Sequence, residues 1–205
     1  MKEITFHSVP FSRENLELCR LDTKYYEGLR GTHSPAYRRI KSIEQSVRVF
    51  AGASGSGKTT YGRNCVAITD SPAYSMGTEL KRRAILEGLV HPYDLPSYYG
   101  FDRSKPMHPK TRHVLREFAR EVKSKEGPHA FMPKPRDAVF ATPYVFMDVR
   151  FVEELEWILE KYASTWPIHV HWLQSDNEIV GDGYSTPLTE ESAKALVERY
   201  NEKAV

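Results

Sequence analysis

The chain has 205 residues, 40% of them hydrophobic and 27% charged, with a formal net charge of +2. That balance excludes a disordered or membrane-embedded chain, and it leaves any attraction to polyanions to local patches. No stretch approaches the roughly 20 apolar residues of a spanning helix, and the N-terminus lacks a long apolar run, so the expectation is a soluble, cytoplasmic protein without a membrane partner. The length fits one α/β domain with an elaboration. Cys19 and Cys65 are the only cysteines and read as free thiols.

Residues 1–45 read as an N-terminal extension ahead of a domain spanning 46–205. Ile4, Phe6 and Val9 alternate like a short strand, and Leu18, Leu21, Tyr25 and Leu29 then recur near helical spacing. Gly28, Gly31 and Ser34-Pro35 break that helix. Between Arg20 and Arg48 basic residues, Arg38 and Arg39 among them, outnumber acidic ones, with Tyr25, Tyr26 and Tyr37 interleaved. Such a mixture suits single-stranded nucleic acid, so DNA is a candidate partner. A helical cap with a solvated basic face is the simpler account.

Val47, Val49 and Phe50 predict a buried strand, and Thr60 to Val66 a helix. Between them Gly52-Ala53-Ser54-Gly55-Ser56-Gly57-Lys58-Thr59 matches the phosphate-binding pattern G-x-x-x-x-G-K-[ST] at every fixed position. Glycines let the backbone turn its N–H groups around a phosphate, and the new helix adds its positive end to the same anion. Lys58 is expected to reach the β- and γ-phosphates and the Thr59 hydroxyl to ligate Mg²⁺, so the segment from Gly52 to Thr60 is the predicted ATP site.

Thr78 is a predicted N-cap for a helix whose face carries Leu80, Ala84, Ile85 and Leu89. Lys81, Arg82 and Arg83 would then lie in its first turns, where cations oppose the helix dipole. Residues 91–108 read as loop. Pro109 opens a second helix to about Lys125, with Val114, Phe118 and Val122 in one row and Arg112, Arg116 and Arg120 on another face. An arginine row is either a solvated face or a phosphate clamp. Residues 78–130 form the expected lid and acceptor region.

The segment 143–151 predicts an apolar strand ending in Asp148, the Walker B arrangement in which the acid holds Mg²⁺ or its water beside Thr59. A helix follows from Glu153 or Glu154 to about Ser164. Ile168 to Leu173 is a further strand with His169 and His171 on one face, read as structural. Thr186 or Thr189 caps a last helix with Ala193, Leu196, Val197 and Tyr200 inward. Asp70 and Asp148 are the acids near strand ends that could take a proton from a hydroxyl acceptor, and Asp70 also suits a turn before Ser71-Pro72.

In order and spacing, from about residue 46 to 173, several segments resemble the bacteriophage type of deoxynucleoside monophosphate kinase. They are the nucleotide loop, Gly77-Thr78-Glu79-Leu80-Lys81, Thr111-Arg112-His113-Val114-Leu115-Arg116-Glu117-Phe118, and Met147-Asp148-Val149-Arg150-Phe151 followed by Glu153-Glu154. The resemblance implies an adenylate-kinase-like P-loop NTPase fold: three α/β layers, a parallel sheet, a lid-like helical insertion and here an N-terminal extension. It implies ATP and Mg²⁺ as donor system, transfer to a deoxynucleoside monophosphate to give the diphosphate, and the cytoplasm of an infected bacterium. By position, Lys58 and Thr59 serve the donor, Arg112 is the lid arginine, Lys81, Arg116 and Arg150 face substrate, and Asp148 marks the sheet edge. The extension, the missing arginine after residue 173 and an altered stretch at 184–191 depart from that family. They admit as alternative a DNA kinase acting on a hydroxyl, such as that of 5-hydroxymethyluracil, and more distantly a non-kinase nucleotide-binding protein. The oligomeric state is open.

Overall fold

The computed structural model describes residues 2–9, 46–53, 55–69, 71–95, 107–133, 143–177, 179, 181 and 183–203. The expectations for Cys19, for Arg38 and Arg39 with the rest of the basic aromatic stretch up to residue 45, for Ser54, for Asp70 and for loop residues 96–106 lie outside them.

Runs of apolar and β-branched residues form the strands β1 (Ile4–Val9), β2 (Val47–Ala51), β3 (Ala73–Tyr74), β4 (Val145–Val149) and β5 (Ile168–Leu173). All pair in parallel, in one five-stranded sheet of order β1-β5-β2-β4-β3. The helices are α1 (Lys58–Thr69), α2 (Met76–Leu86), α3 (Pro109–Glu126), α4 (Val152–Tyr162) and α5 (Glu190–Glu202). The protein is therefore an α/β fold.

The pleat sends Val47, Val49 and Ala51 of β2, with Ile168 and Val170 of β5, into a core closed by Leu155, Ile158 and Leu159 of α4 and Leu196 and Val197 of α5. Phe50, Val145 and Leu173 face the other way and pack with Met147 against Tyr61, Cys65 and Val66 of α1. Burial on both faces is why these strands read as apolar runs. The parallel pairing puts all strand C-termini along one edge, the place where open parallel sheets bind ligands. The helix α1 lies close over β4 because residue 62 is glycine, where a Cβ would stand 2.8 Å from Met147 Sδ.

The helix α2 begins earlier than the sequence suggests. Ser75, not Thr78, is its N-cap, and the Thr78 N–H donates to Ser75 Oγ at 3.3 Å. Lys81 and Arg82 consequently sit mid-helix and Arg83 in the last turn, where the conflict with the dipole disappears. Arg82 and Arg83 pair with Glu79, and Arg83 also bridges to Glu126 of α3 and donates to the Ala130 carbonyl. Arg83 thereby ties α2 to α3, around Ala84, Leu95 and Leu115. Leu89 lies past the helix end and is 47% exposed. A 3-10 turn at Pro92–Asp94 interrupts the predicted loop.

The strand β1 is an edge strand with Ile4 opposite Ile168, and Asn201 of α5 donates to the Ile4 carbonyl at 2.9 Å. Thr189 caps α5. Among the described residues no helix is long and apolar enough to cross a membrane.

Candidate functional site

The loop after β2 is built on backbone that L-residues avoid. Gly52, Gly55 and Gly57 have φ of 134°, 85° and 91°. At Gly52 space is as decisive as angle, because a Cβ would stand 2.5 Å from the Leu173 carbonyl oxygen at the end of β5. The Gly52 N–H donates to the Val149 carbonyl at 3.3 Å, so the loop starts braced between β5 and β4.

Lys58 opens α1 with its side chain only 5% exposed. Its ammonium turns back over the loop, donating to the Ala53 carbonyl and to Ser56 Oγ at 3.4 Å. It lies 3.9 Å from Asp148 Oδ1. Burial lowers the Lys58 pKa to about 8, and the Asp148 charge offsets only part of that. Thr59 beside it is exposed and Thr60 half-buried.

Asp148, near the end of β4, is the hub on this side. Arg150 donates to both of its oxygens, from Nε at 2.8 Å and from Nη2 at 3.2 Å. Gly77, at the start of α2, leaves room for the carboxylate, since a Cβ there would be 2.9 Å from Oδ2. Burial also lowers the Lys81 pKa, with Asp148 raising it and Arg150 lowering it further, so this ammonium shares the same field. Lys58, Lys81 and Arg150 thus all interact with the one Asp148 carboxylate.

Glu154 stands behind them. Its Oε2 accepts from the backbone N–H groups of Arg150 at 2.9 Å and Phe151 at 3.2 Å, and burial raises its pKa to about 7. It holds the corner between β4 and α4. Lys123 of α3 braces the same corner, 4.2 Å from the Phe151 ring centre and 2.8 Å from Ser185 Oγ.

On the opposite flank of the loop an open cleft of about 500 Å³ lies at the end of β5, lined by Ala53, Trp172, Gln174, Asp176, Asn177 and Glu190 among others. Asn177 leans over the loop, with Nδ2 3.3 Å from where a Gly55 Cβ would be. Sequence inspection missed this cleft, and its one signal is the polar run Gln174-Ser175-Asp176-Asn177 directly after an apolar strand.

Arg112 and Arg116 are exposed on α3, and neither is among the charged groups acting on Lys58, Lys81 or Arg150. His169 and His171 do share a face, and β1 adds His7, 5.1 Å from His171 between ring centres, while Thr5 Oγ1 lies 2.7 Å from His169 Nδ1. Burial lowers the His171 pKa to about 3, which keeps that ring neutral, stacked on Phe50. Among the described residues no group of three or more His, Cys, Asp or Glu is placed to hold a metal. A Mg²⁺ site beside ATP does not need one, because that ion binds through one or two carboxylates together with substrate phosphates and water. Asp148 next to the loop lysine fits such a role.

No protein-family model, curated protein or solved structure matches the chain.

Proposed function

We propose that this protein is an ATP-dependent kinase of the P-loop three-layer type that phosphorylates a deoxynucleoside monophosphate to the diphosphate. The observation that carries the reading is the Lys58 ammonium, buried on a loop of positive-φ glycines 3.9 Å from Asp148, beside an open cleft at the C-terminal edge of a parallel sheet. Cations and glycine backbone at that edge recognise phosphate.

The two flanks of the loop suit two nucleotides. The cleft past β5 offers Trp172 as an aromatic wall and Gln174, Asp176 and Asn177 as hydrogen-bonding groups, which suits the donor's base. The β4 side carries Lys81 and Arg150, which suit the acceptor's phosphate. Lys58 lies between and neutralises charge on the group in transit. Mg²⁺, held by Asp148 and the Thr59 hydroxyl together with the ATP phosphates, would supply further charge neutralisation.

Among the described residues the carboxylates near the loop favour a phosphate acceptor over a DNA hydroxyl. An acceptor phosphate is ionised at neutral pH and needs only alignment and neutralisation. A hydroxyl acceptor benefits from a carboxylate free to take its proton. Both Asp148 oxygens are engaged by Arg150, and the Glu154 oxygen that makes contacts faces backbone N–H groups.

The test is ADP formation from ATP and Mg²⁺ with each of the four common deoxynucleoside monophosphates, against plain DNA and DNA containing 5-hydroxymethyluracil. ADP release that requires a monophosphate and disappears in Lys58→Ala is the expected result. Phosphate incorporated into DNA instead would replace the acceptor, and an ATP-independent protein would overturn the reading.

A further inference from the structure

We propose that Arg150 is a positioning residue that makes uptake of the divalent cation depend on arrival of the acceptor's phosphate; the inference rests on the kinase reading above. Arg150 occupies both oxygens of Asp148, at 2.8 Å and 3.2 Å. Asp148 has little freedom to leave that clasp. Its Oδ1 faces Lys58 Nζ at 3.9 Å, its Oδ2 abuts Gly77, and its side chain is 17% exposed against 38% for Arg150. The Arg150 main chain is also pinned, by its N–H to Glu154 Oε2 and by its carbonyl from the Leu188 N–H, both at 2.9 Å. What can move is the guanidinium on its stem, which is the more exposed partner.

A guanidinium and a divalent cation compete for the same lone pairs. Mg²⁺ approaches an oxygen to about 2.0–2.1 Å in near-octahedral geometry, which two N–H donors on that carboxylate obstruct. A phosphate offers the planar fork a more highly charged bidentate partner than a carboxylate does. Lys81, whose ammonium feels both Asp148 and Arg150, places a second cation on the flank where that phosphate would sit. An acceptor that draws Arg150 onto its phosphate therefore uncovers Asp148 for the cation. Linkage is reciprocal, so the cation tightens acceptor binding by the same factor. The consequence for function is that ATP held without an acceptor is poorly activated, which limits wasteful transfer to water.

The experiment titrates Mn²⁺, a spectroscopic substitute for Mg²⁺, into the full-length protein bound to the non-hydrolysable imido analogue of ATP. Free Mn²⁺ is followed by electron paramagnetic resonance, with and without each deoxynucleoside monophosphate. In the wild type one monophosphate or more should tighten Mn²⁺ binding about tenfold. Arg150→Met should bind Mn²⁺ more tightly than the wild type when no acceptor is present and gain nothing further when one is added. Arg150→Lys, which keeps the charge but loses the fork, makes the same comparison if the methionine variant does not fold, and should show a reduced acceptor response. Equal or weaker Mn²⁺ binding by a folded Arg150 variant without acceptor would overturn the clasp. So would a wild type that binds the ATP analogue but whose Mn²⁺ affinity no monophosphate changes, and that result leaves the kinase reading standing. Metal-free binding of a fluorescent ATP analogue separates the two failures, because a wild type that does not bind it, or binds it no better than Lys58→Ala, overturns both.

Discussion

Replacing Lys58 by methionine should make the protein more stable and inactive together. The Lys58 side chain is 5% exposed, and burial moves its pKa from 10.5 to about 8 despite the attraction of Asp148. At about 1.4 kcal/mol per pH unit, holding this ammonium charged in the folded protein costs about 3 kcal/mol at neutral pH. Methionine has a similar length and no charge, so Lys58→Met should raise the unfolding free energy at about pH 7 by up to that amount. The pH dependence supplies the sign. The unfolded lysine holds its proton more tightly than the folded one, so between about pH 8 and about pH 10.5 the unfolded chain carries more protons and wild-type stability rises with pH. The variant lacks this contribution, and its advantage should shrink across that window. Urea unfolding followed by tryptophan fluorescence at several pH values measures the gap, and ADP formation in parallel should fall roughly 100-fold or more. A methionine variant less stable than the wild type at neutral pH, or a gap that stays constant with pH, would refute the argument that the loop holds a desolvated cation awaiting an anion.

Other substitutions probe the elements around that lysine. Asp148→Asn should lower turnover and raise the Mg²⁺ concentration needed for half-maximal rate, because a neutral amide is a poorer ligand for a hard cation; an unchanged Mg²⁺ titration would reduce Asp148 to a structural partner of Arg150. Gly62→Ala should destabilise by about 1–3 kcal/mol through overpacking against Met147, and Gly62→Ala/Met147→Ala should lose less than the two single variants added together, as thermal or urea unfolding will read. Glu154 has its pKa raised from 4.5 to about 7, so the folded state holds the extra proton and stability should fall as pH rises through that window. Glu154→Gln should remove most of this fall, and a variant with the wild-type pH profile of stability would show that burial does not govern this carboxyl.

The parts of the site legible in the sequence are those whose constraints are local. Two fixed positions of the loop have a backbone reason within a few residues, positive φ at Gly57 and the helix start at Lys58, whereas Gly52 answers in part to the distant Leu173 carbonyl. The end of an apolar run likewise places Asp148 at the sheet edge. What the sequence hid depends on neighbours distant along the chain. Gly62 reads as an ordinary helix residue until Met147 is laid against it, whereas the cap at Ser75 in place of Thr78 was a local signal that could have been read. Arg82 and Arg83 read as cations set against the dipole, yet Glu79 pairs with both and Glu126, on another helix, pairs with Arg83. Strand order is hidden for the same reason, since nothing near Ile4 announces that its partner is Ile168. The pair Asp148 and Arg150 lies between these cases. Residues two apart on an extended chain share a face, so their contact was readable, but each was assigned a separate partner, metal for one and substrate for the other. Their mutual clasp means that those two assignments are satisfied together only when the ligands arrive together, which is why the Mn²⁺ response to acceptor, and not either substitution alone, is the measurement that joins them.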